Sequence, residues 1–207
     1  MTKLMRTVAA VLLLAFLLCA VSCSDNSVTS EKSLSVVTTV FPPYDFARQI
    51  SEGVSGIDIT MLLPPGSESH DYEPSVGDIA KIGEADLIIT VGGETDEWID
   101  GIIKSSESKA RVLRLTDMVE LLEEDETVLV TNSSHHHGDD HSHEHGESCV
   151  FDEHVWTSPE NAAIMTEKIA EEMCRLSEEN SDIFKKNSAA YSASLRDVQK
   201  SMKSIVN

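Results

Sequence analysis

The sequence predicts an α/β fold, a parallel sheet flanked by helices and followed by one long helix. Three observations carry that prediction. Short β-branched runs alternate with stretches of helical spacing from residue 34 to residue 115, the pattern of a parallel sheet whose crossovers are helices. Gly and Pro clusters punctuate the runs, as turn chemistry requires. Beyond Pro159 the chain has no further Gly or Pro and keeps a helical pattern to its end.

The elements follow in order. Residues 34–40 (LSVVTTV) form a first strand, ended by Phe41-Pro42-Pro43. Residues 44–50 carry Phe46, Ala47 and Ile50 at helical spacing. Residues 57–63 form a second strand, stopped by Pro64-Pro65-Gly66. Residues 76–85 read as a helix with Ser75 as its cap. Residues 86–91 (DLIITV) are a buried strand, stopped by Gly92-Gly93. Residues 96–103 place Trp98, Ile99, Ile102 and Ile103 on one helical face, and residues 111–115 are a further short strand. Residues 123–152 have no periodicity and are expected to be unstructured. A helix runs from Pro159 to about Leu176. A second starts near Asp182 and carries Phe184, Ala189, Tyr191, Leu195, Val198, Met202 and Ile205, a rod of roughly 35 Å. An amphipathic helix of that length is expected to have more chain to pack on.

Charge limits the partners. Asp and Glu number 36 against 16 Lys and Arg, a formal net charge of -20. Nucleic acid is disfavoured, because its backbone demands Lys and Arg; cations suit the chain. Twelve acidic residues and no Lys or Arg lie between Leu115 and Glu153.

The N-terminus reads as an export signal. Lys3 and Arg6 precede an apolar stretch at residues 8–18, and the small residues Ala20 and Ser22 follow, the three regions of a secretory leader in order. The stretch is too short for a comfortable membrane span. Ala20-Val21-Ser22-Cys23 resembles a bacterial lipobox with Cys23 as the lipidated residue, although Ala20 stands where leucine is usual. The expected organisation is a lipoprotein signal at residues 1–22, a flexible tether at 23–33, an α/β unit at 34–180 with an acidic histidine loop at about 123–152, and the long helix at 181–207. That places the chain outside the cytoplasm, lipid-anchored to a bacterial cell membrane. Cys149 and Cys174 would remain after processing. A disulfide, a free thiol and thiolate help in metal capture are all open to them.

The histidines point to metal. Six of the eight, His135, His136, His137, His141, His143 and His145, crowd one short tract. The other two sit in compact motifs: His70 in Pro64-Pro65-Gly66-Ser67-Glu68-Ser69-His70-Asp71-Tyr72-Glu73-Pro74, and His154 in Asp152-Glu153-His154-Val155-Trp156-Thr157-Ser158-Pro159. Neutral imidazole suits Zn²⁺ and its first-row neighbours. Asp152 and Glu153 offer acceptors for the second ring nitrogen of His154, whereas Asp71 and Glu73 read as loop-structuring or capping residues. The tract sits mid-chain and is broken by Asp, Glu, Ser and Gly, unlike a purification tag. It suits a metal-gathering loop, binding weakly and quickly. Plain filler is the bland alternative. Each imidazole of the two motifs could also be an ordinary hydrogen-bonded loop residue.

Together these motifs resemble those of the metal-binding lipoproteins of zinc and manganese ABC importers, the zinc-uptake (ZnuA-type) class in particular. The residues that carry the resemblance are Thr39-Val40-Phe41-Pro42-Pro43-Tyr44-Asp45-Phe46-Ala47, the His70 motif, Val91-Gly92-Gly93-Glu94 with Trp98, and the His154 motif. The resemblance covers residues 34–207. It implies one lobe of a two-lobed protein, with the terminal helix as the inter-lobe rod, a second lobe absent and metal held between lobes. It also implies His70 and His154 as first-lobe ligands, meeting at one sheet edge with nitrogens within about 4 Å. It further implies capture of Zn²⁺ over Mn²⁺, an ABC permease as partner, a monomer when full length, and no catalysis. The family's Asp-Pro before the first ligand is Glu68-Ser69 here. A surface adhesin or zinc-storage lipoprotein is the competing reading. A zinc hydrolase fits less well, because no His-Glu-x-x-His or Ser/His/Asp signature is present.

Overall fold

The computed structural model describes residues 33–67, 72–93, 96–121 and 151–206. β1 (Leu34–Thr38), β2 (Ile57–Met61), β3 (Leu87–Thr90) and β4 (Arg111–Arg114) form one sheet in the order β2-β1-β3-β4. All three pairings are parallel, with Val36 opposite Ile59 on one side and Leu87 on the other. Every residue of β3 is buried, as a central parallel strand covered on both faces requires.

Alternation along the strands divides two cores. Val36, Leu87 and Ile89 join the larger core, with Phe46, Ile50, Met165, Ile169 and Phe184. Val37 and Ile88 point to the smaller one, with Ile82 and Ile99. Adjacent strand residues face opposite sides, so each strand feeds both. The larger core is covered by α1 (Phe41–Ile50), α4 (Pro159–Leu176) and α5 (Ser181–Val206); the smaller by α2 (Val76–Glu84) and α3 (Glu97–Ser105).

Boundaries moved for identifiable reasons. α1 begins at Phe41 rather than Tyr44 because Pro42 and Pro43 fall in its first turn, where helix N–H groups have no intrahelical acceptor and a fixed proline φ costs nothing. β1 and β2 each end two residues early, at Thr38 and Met61. Thr39 and the residues after Met61 instead form the rim of the sheet.

α2 starts as the sequence predicts. Ser75 Oγ accepts from the Asp78 N–H while the Asp78 carboxylate accepts from the Ser75 N–H, a reciprocal capping box. Burial works against the Asp78 charge, but hydrogen bonds from Ser75, Lys81 and Tyr72 outweigh it and take its pKa from 3.8 to about 2. A carboxyl lowered on folding stabilises above its unfolded pKa and loses that contribution as pH falls through the folded value. Asp78→Asn is therefore expected to be about 1 kcal/mol less stable than the parent near neutral pH. The difference should vanish as pH falls to about 2. Urea unfolding across that range checks it, and a pH-independent difference would assign the effect to shape rather than charge.

α5 is tied down along its first half. Asn187 donates to the carbonyls of Ile50 and Glu52 at 3.0 and 2.9 Å, satisfying the exposed end of α1. Tyr191 donates to Asp45 at 2.9 Å; burial first, then that carboxylate, pushes the phenol up to about 12. Small residues let α4 and α5 approach, and Ser192 donates to the Ala163 carbonyl at 3.2 Å. The buried stripe is Phe184, Ser188 and Ser192, with Tyr191 and Leu195 beside it. Ala189, expected on that face, is exposed, because it lies one step off the stripe. Val198, Met202, Ile205 and Val206 are exposed as well. Deeper in the lobe, Glu172 on α4 is buried between Arg111 of β4 (2.7 Å) and Arg175 (2.6 Å). Burial opposes its charge, and the two guanidiniums outweigh that and hold its carboxyl below the usual range.

Cys174 approaches the Ser181 carbonyl at 3.6 Å. Cys149, and most of the stretch expected to lack structure, lie outside the described residues.

Candidate metal centre

Because β1 lies between β2 and β3, the chain leaves β1 in one direction and returns on its other side. The crevice beyond the carboxyl ends at such a reversal is where open parallel sheets hold ligands. Here it is a cleft of about 280 Å³, lined by Val40, Phe41 and Pro42 after β1, Met61 to Ser67 around the end of β2 (Leu62 excepted), Val91 after β3, and Glu153, His154 and Trp156.

Each residue of the His154 motif has a local task. Val155 is buried in the larger core and anchors a short 3-10 turn (Val155–Thr157). Thr157 closes that turn with its N–H and hydroxyl on the His154 carbonyl, at 3.0 and 2.7 Å. Ser158 caps α4 and Pro159 opens it. His154 is left at the rim, its side chain 61% exposed, its ring 5.4 Å from that of Trp156.

The imidazole is oriented by Asp152. One carboxylate oxygen, Oδ1, accepts from the His154 N–H at 2.8 Å and meets His154 Nδ1 at 2.9 Å. The backbone N–H first and the ring second hold the Asp152 carboxyl below its usual range. An ionised carboxylate can only accept, so the bond puts a proton on Nδ1, and in the neutral imidazole the lone pair is then on Nε2. This is the carboxylate–histidine arrangement that prepares an imidazole to ligate metal.

Beneath the rim lies a residue that sequence reasoning read only as the start of a helix. Asp96 is buried. Its Oδ2 accepts from the Thr39 hydroxyl at 3.2 Å, the Gly92 N–H at 3.2 Å and the Val91 N–H. Burial pushes its carboxyl up, those hydrogen bonds pull it back, and the charge of Glu153 adds to the upward push. The sequence signal was the Gly92-Gly93 pair. Both have positive φ, +89 and +85, and a Cβ would lie 2.2 Å from Thr116 Oγ1 at the first and 2.2 Å from Glu153 Oε1 at the second. Only glycine meets both demands.

His70 lies outside the described residues, as do His135, His136, His137, His141, His143, His145 and Cys23. The expected meeting of His70 with His154 is therefore not part of the described geometry. What is described are the flanks of the His70 motif. Pro64 to Ser67 line the cleft. Tyr72 donates to Asp78 at 3.0 Å and packs edge-on against Trp98 at 5.2 Å. Burial, then Asp78, raises its phenol to about 12. Among the described residues no three His, Cys, Asp or Glu side chains gather as a metal site.

The molecule is thus of the parallel α/β class, with a carboxylate-paired histidine at its switch-point cleft. The chain belongs to the family described as zinc-uptake complex component A, periplasmic, which matches residues 36–207. It is 33% identical over 182 residues to the zinc-binding protein AdcA of Streptococcus pyogenes serotype M3, covering 84% of this chain and 34% of that one. It is 32% identical over 184 residues to the high-affinity zinc uptake system protein ZnuA of Bacillus subtilis, covering 88% and 54%. Among solved structures, Zn(II)-bound AdcA from Streptococcus pneumoniae aligns with a TM-score of 0.62 at 26% identity, over 82% of this chain and 32% of that one. The metal-dependent lipoprotein YcdH from Bacillus subtilis aligns at 0.62 and 28%, over 80% and 53%. The chain thus spans between a third and about half of the length of these relatives. The family is one of binding proteins rather than enzymes, so the hydrolase reading falls away, and it works outside the cytoplasm.

Proposed function

We propose that the chain captures Zn²⁺ outside the cytoplasm and passes it to the permease of an ABC importer. The observation that carries this reading is the Asp152–His154 pair at the cleft. His70 is the proposed second ligand. It stands three residues after Ser67 of the cleft lining in the sequence. Two imidazoles are short of the four-ligand shell usual for tightly held zinc, and the proposed complement comes from a second α/β lobe. Imidazole ligands favour Zn²⁺ over the harder Mn²⁺. The histidine tract collects ions for the cleft, and a lipid at Cys23, with residues 24–33 as tether, keeps the lobe near the membrane.

A titration tests the assignment. In a parent whose tract histidines (His135, His136, His137, His141, His143 and His145) are all asparagine, weakly bound zinc is expected to disappear while the circular dichroism spectrum is kept. In that parent, His70→Ala and His154→Ala are each expected to cost more than the roughly 10–100-fold typical of losing a residue that only supports a ligand. Zinc binding that survives both substitutions would place the ion elsewhere.

A further inference from the structure

We infer that Asp96 is a positioning residue of the metal cleft, holding the turn against which the side chain of Glu153, the neighbour of His154, lies. This rests on the zinc reading of the cleft given above. Asp96 is the N-cap of α3, where an aspartate ordinarily accepts from the N–H groups of its own helix. Its side chain makes no such bond. It turns away, and Oδ2 accepts from the N–H groups of Val91 and Gly92 and from the Thr39 hydroxyl. Those donors sit at the carboxyl ends of β3 and β1, the two strands between which the cleft opens. A buried carboxyl oxygen needs donors to compensate it, and three converge on this one.

The link to His154 runs through Gly93. The turn that Asp96 fastens presents Gly93 at φ +85, with Glu153 Oε1 only 2.2 Å from where a Cβ would stand. Glu153 immediately precedes His154, and Val155 beyond it is anchored in the core. Val155 thus holds the His154 turn from the core side, and the Glu153 side chain lies over Gly93. Without Asp96 the two N–H groups and the hydroxyl lose their common acceptor, the Gly93 turn shifts, and the imidazole shifts with it. Asp96 acts without touching the ion.

The test uses the full chain with the six tract histidines replaced by asparagine. Zn²⁺ affinity is measured by chelator competition, Co²⁺ absorption reports ligand geometry, and thermal melting reports folding. Asp96→Ala is expected to weaken zinc binding about 10–100-fold and to alter the Co²⁺ spectrum while the protein remains folded. Asp96→Asn, whose amide oxygen can accept from the same three donors, is expected to restore both. Gly93→Ala, which leaves Asp96 in place and displaces Glu153, is expected to reproduce the loss. A folded Asp96→Ala protein with parental affinity and spectrum would overturn the inference. If that variant does not fold, parental binding by Gly93→Ala overturns it instead. His154→Ala in the same series separates the two readings: if it binds as the parent does, the zinc assignment of the cleft fails, whereas loss there with parental binding by Asp96→Ala defeats the positioning role alone.

Discussion

Phe184→Ala is expected to destabilise the lobe by about 3–5 kcal/mol, the range for truncating a fully buried aromatic side chain. Phe184 is fully buried in the larger core. It stands in the first turn of α5, a helix that packs on α4 and α1. The cavity would open under the joint that three polar ties, from Asn187, Tyr191 and Ser192, then close. Those ties do not fill volume, so they cannot compensate. Met202→Ala on the same helix is the control. Met202 is 50% exposed, and its truncation is expected to stay within about 0.5 kcal/mol. Denaturant unfolding measures both. A Phe184→Ala loss below about 1 kcal/mol would mean that α5 is not integral to the core of the described lobe.

Asp152→Ala is expected to lower zinc affinity about 10–100-fold with no comparable loss of stability. Both partners are substantially exposed, 61% for His154 and 46% for Asp152, so the pair adds little to folding. Its value is orientation: the carboxylate holds the proton on Nδ1 and leaves Nε2 for the ion. Asp152→Asn separates charge from geometry, since its amide oxygen still accepts from Nδ1. The folded Asp152 carboxyl lies below its unfolded value, so its bonds to His154 are complete above the ordinary carboxylate range and are lost as pH falls through the lowered pKa. Undiminished affinity in the alanine variant would show that the ring is oriented by its contact with Trp156 instead.

Much of the molecule is legible in its sequence. The four strands, each shorter than the pattern suggests, the Ser75 cap and the start of α4 at Pro159 appear in the segments where the residue pattern puts them. These are local properties, since side-chain periodicity, a capping hydroxyl and a proline act within a few residues of where they stand. Phe41-Pro42-Pro43 misled for a local reason as well. Proline stops a strand and is welcome in the first turn of a helix, and the pattern alone did not say that the second use begins at once. Ala189 misled because a helix twenty-six residues long offers several plausible faces, and only the neighbouring surface selects one.

The sequence by itself determined the alternation of strands and helices, the acidic charge that disfavours nucleic acid, and the two histidine motifs with their punctuation. Tertiary structure alone decided the strand order β2-β1-β3-β4 and the cleft it creates. It also decided the destination of Asp96, whose partner Thr39 is 57 residues away. At the head of a helix an aspartate has a ready local use as a cap. Here three donors, delivered by the ends of two strands, outcompete that use. Their convergence depends on how the sheet is assembled, and no window of neighbouring residues contains it.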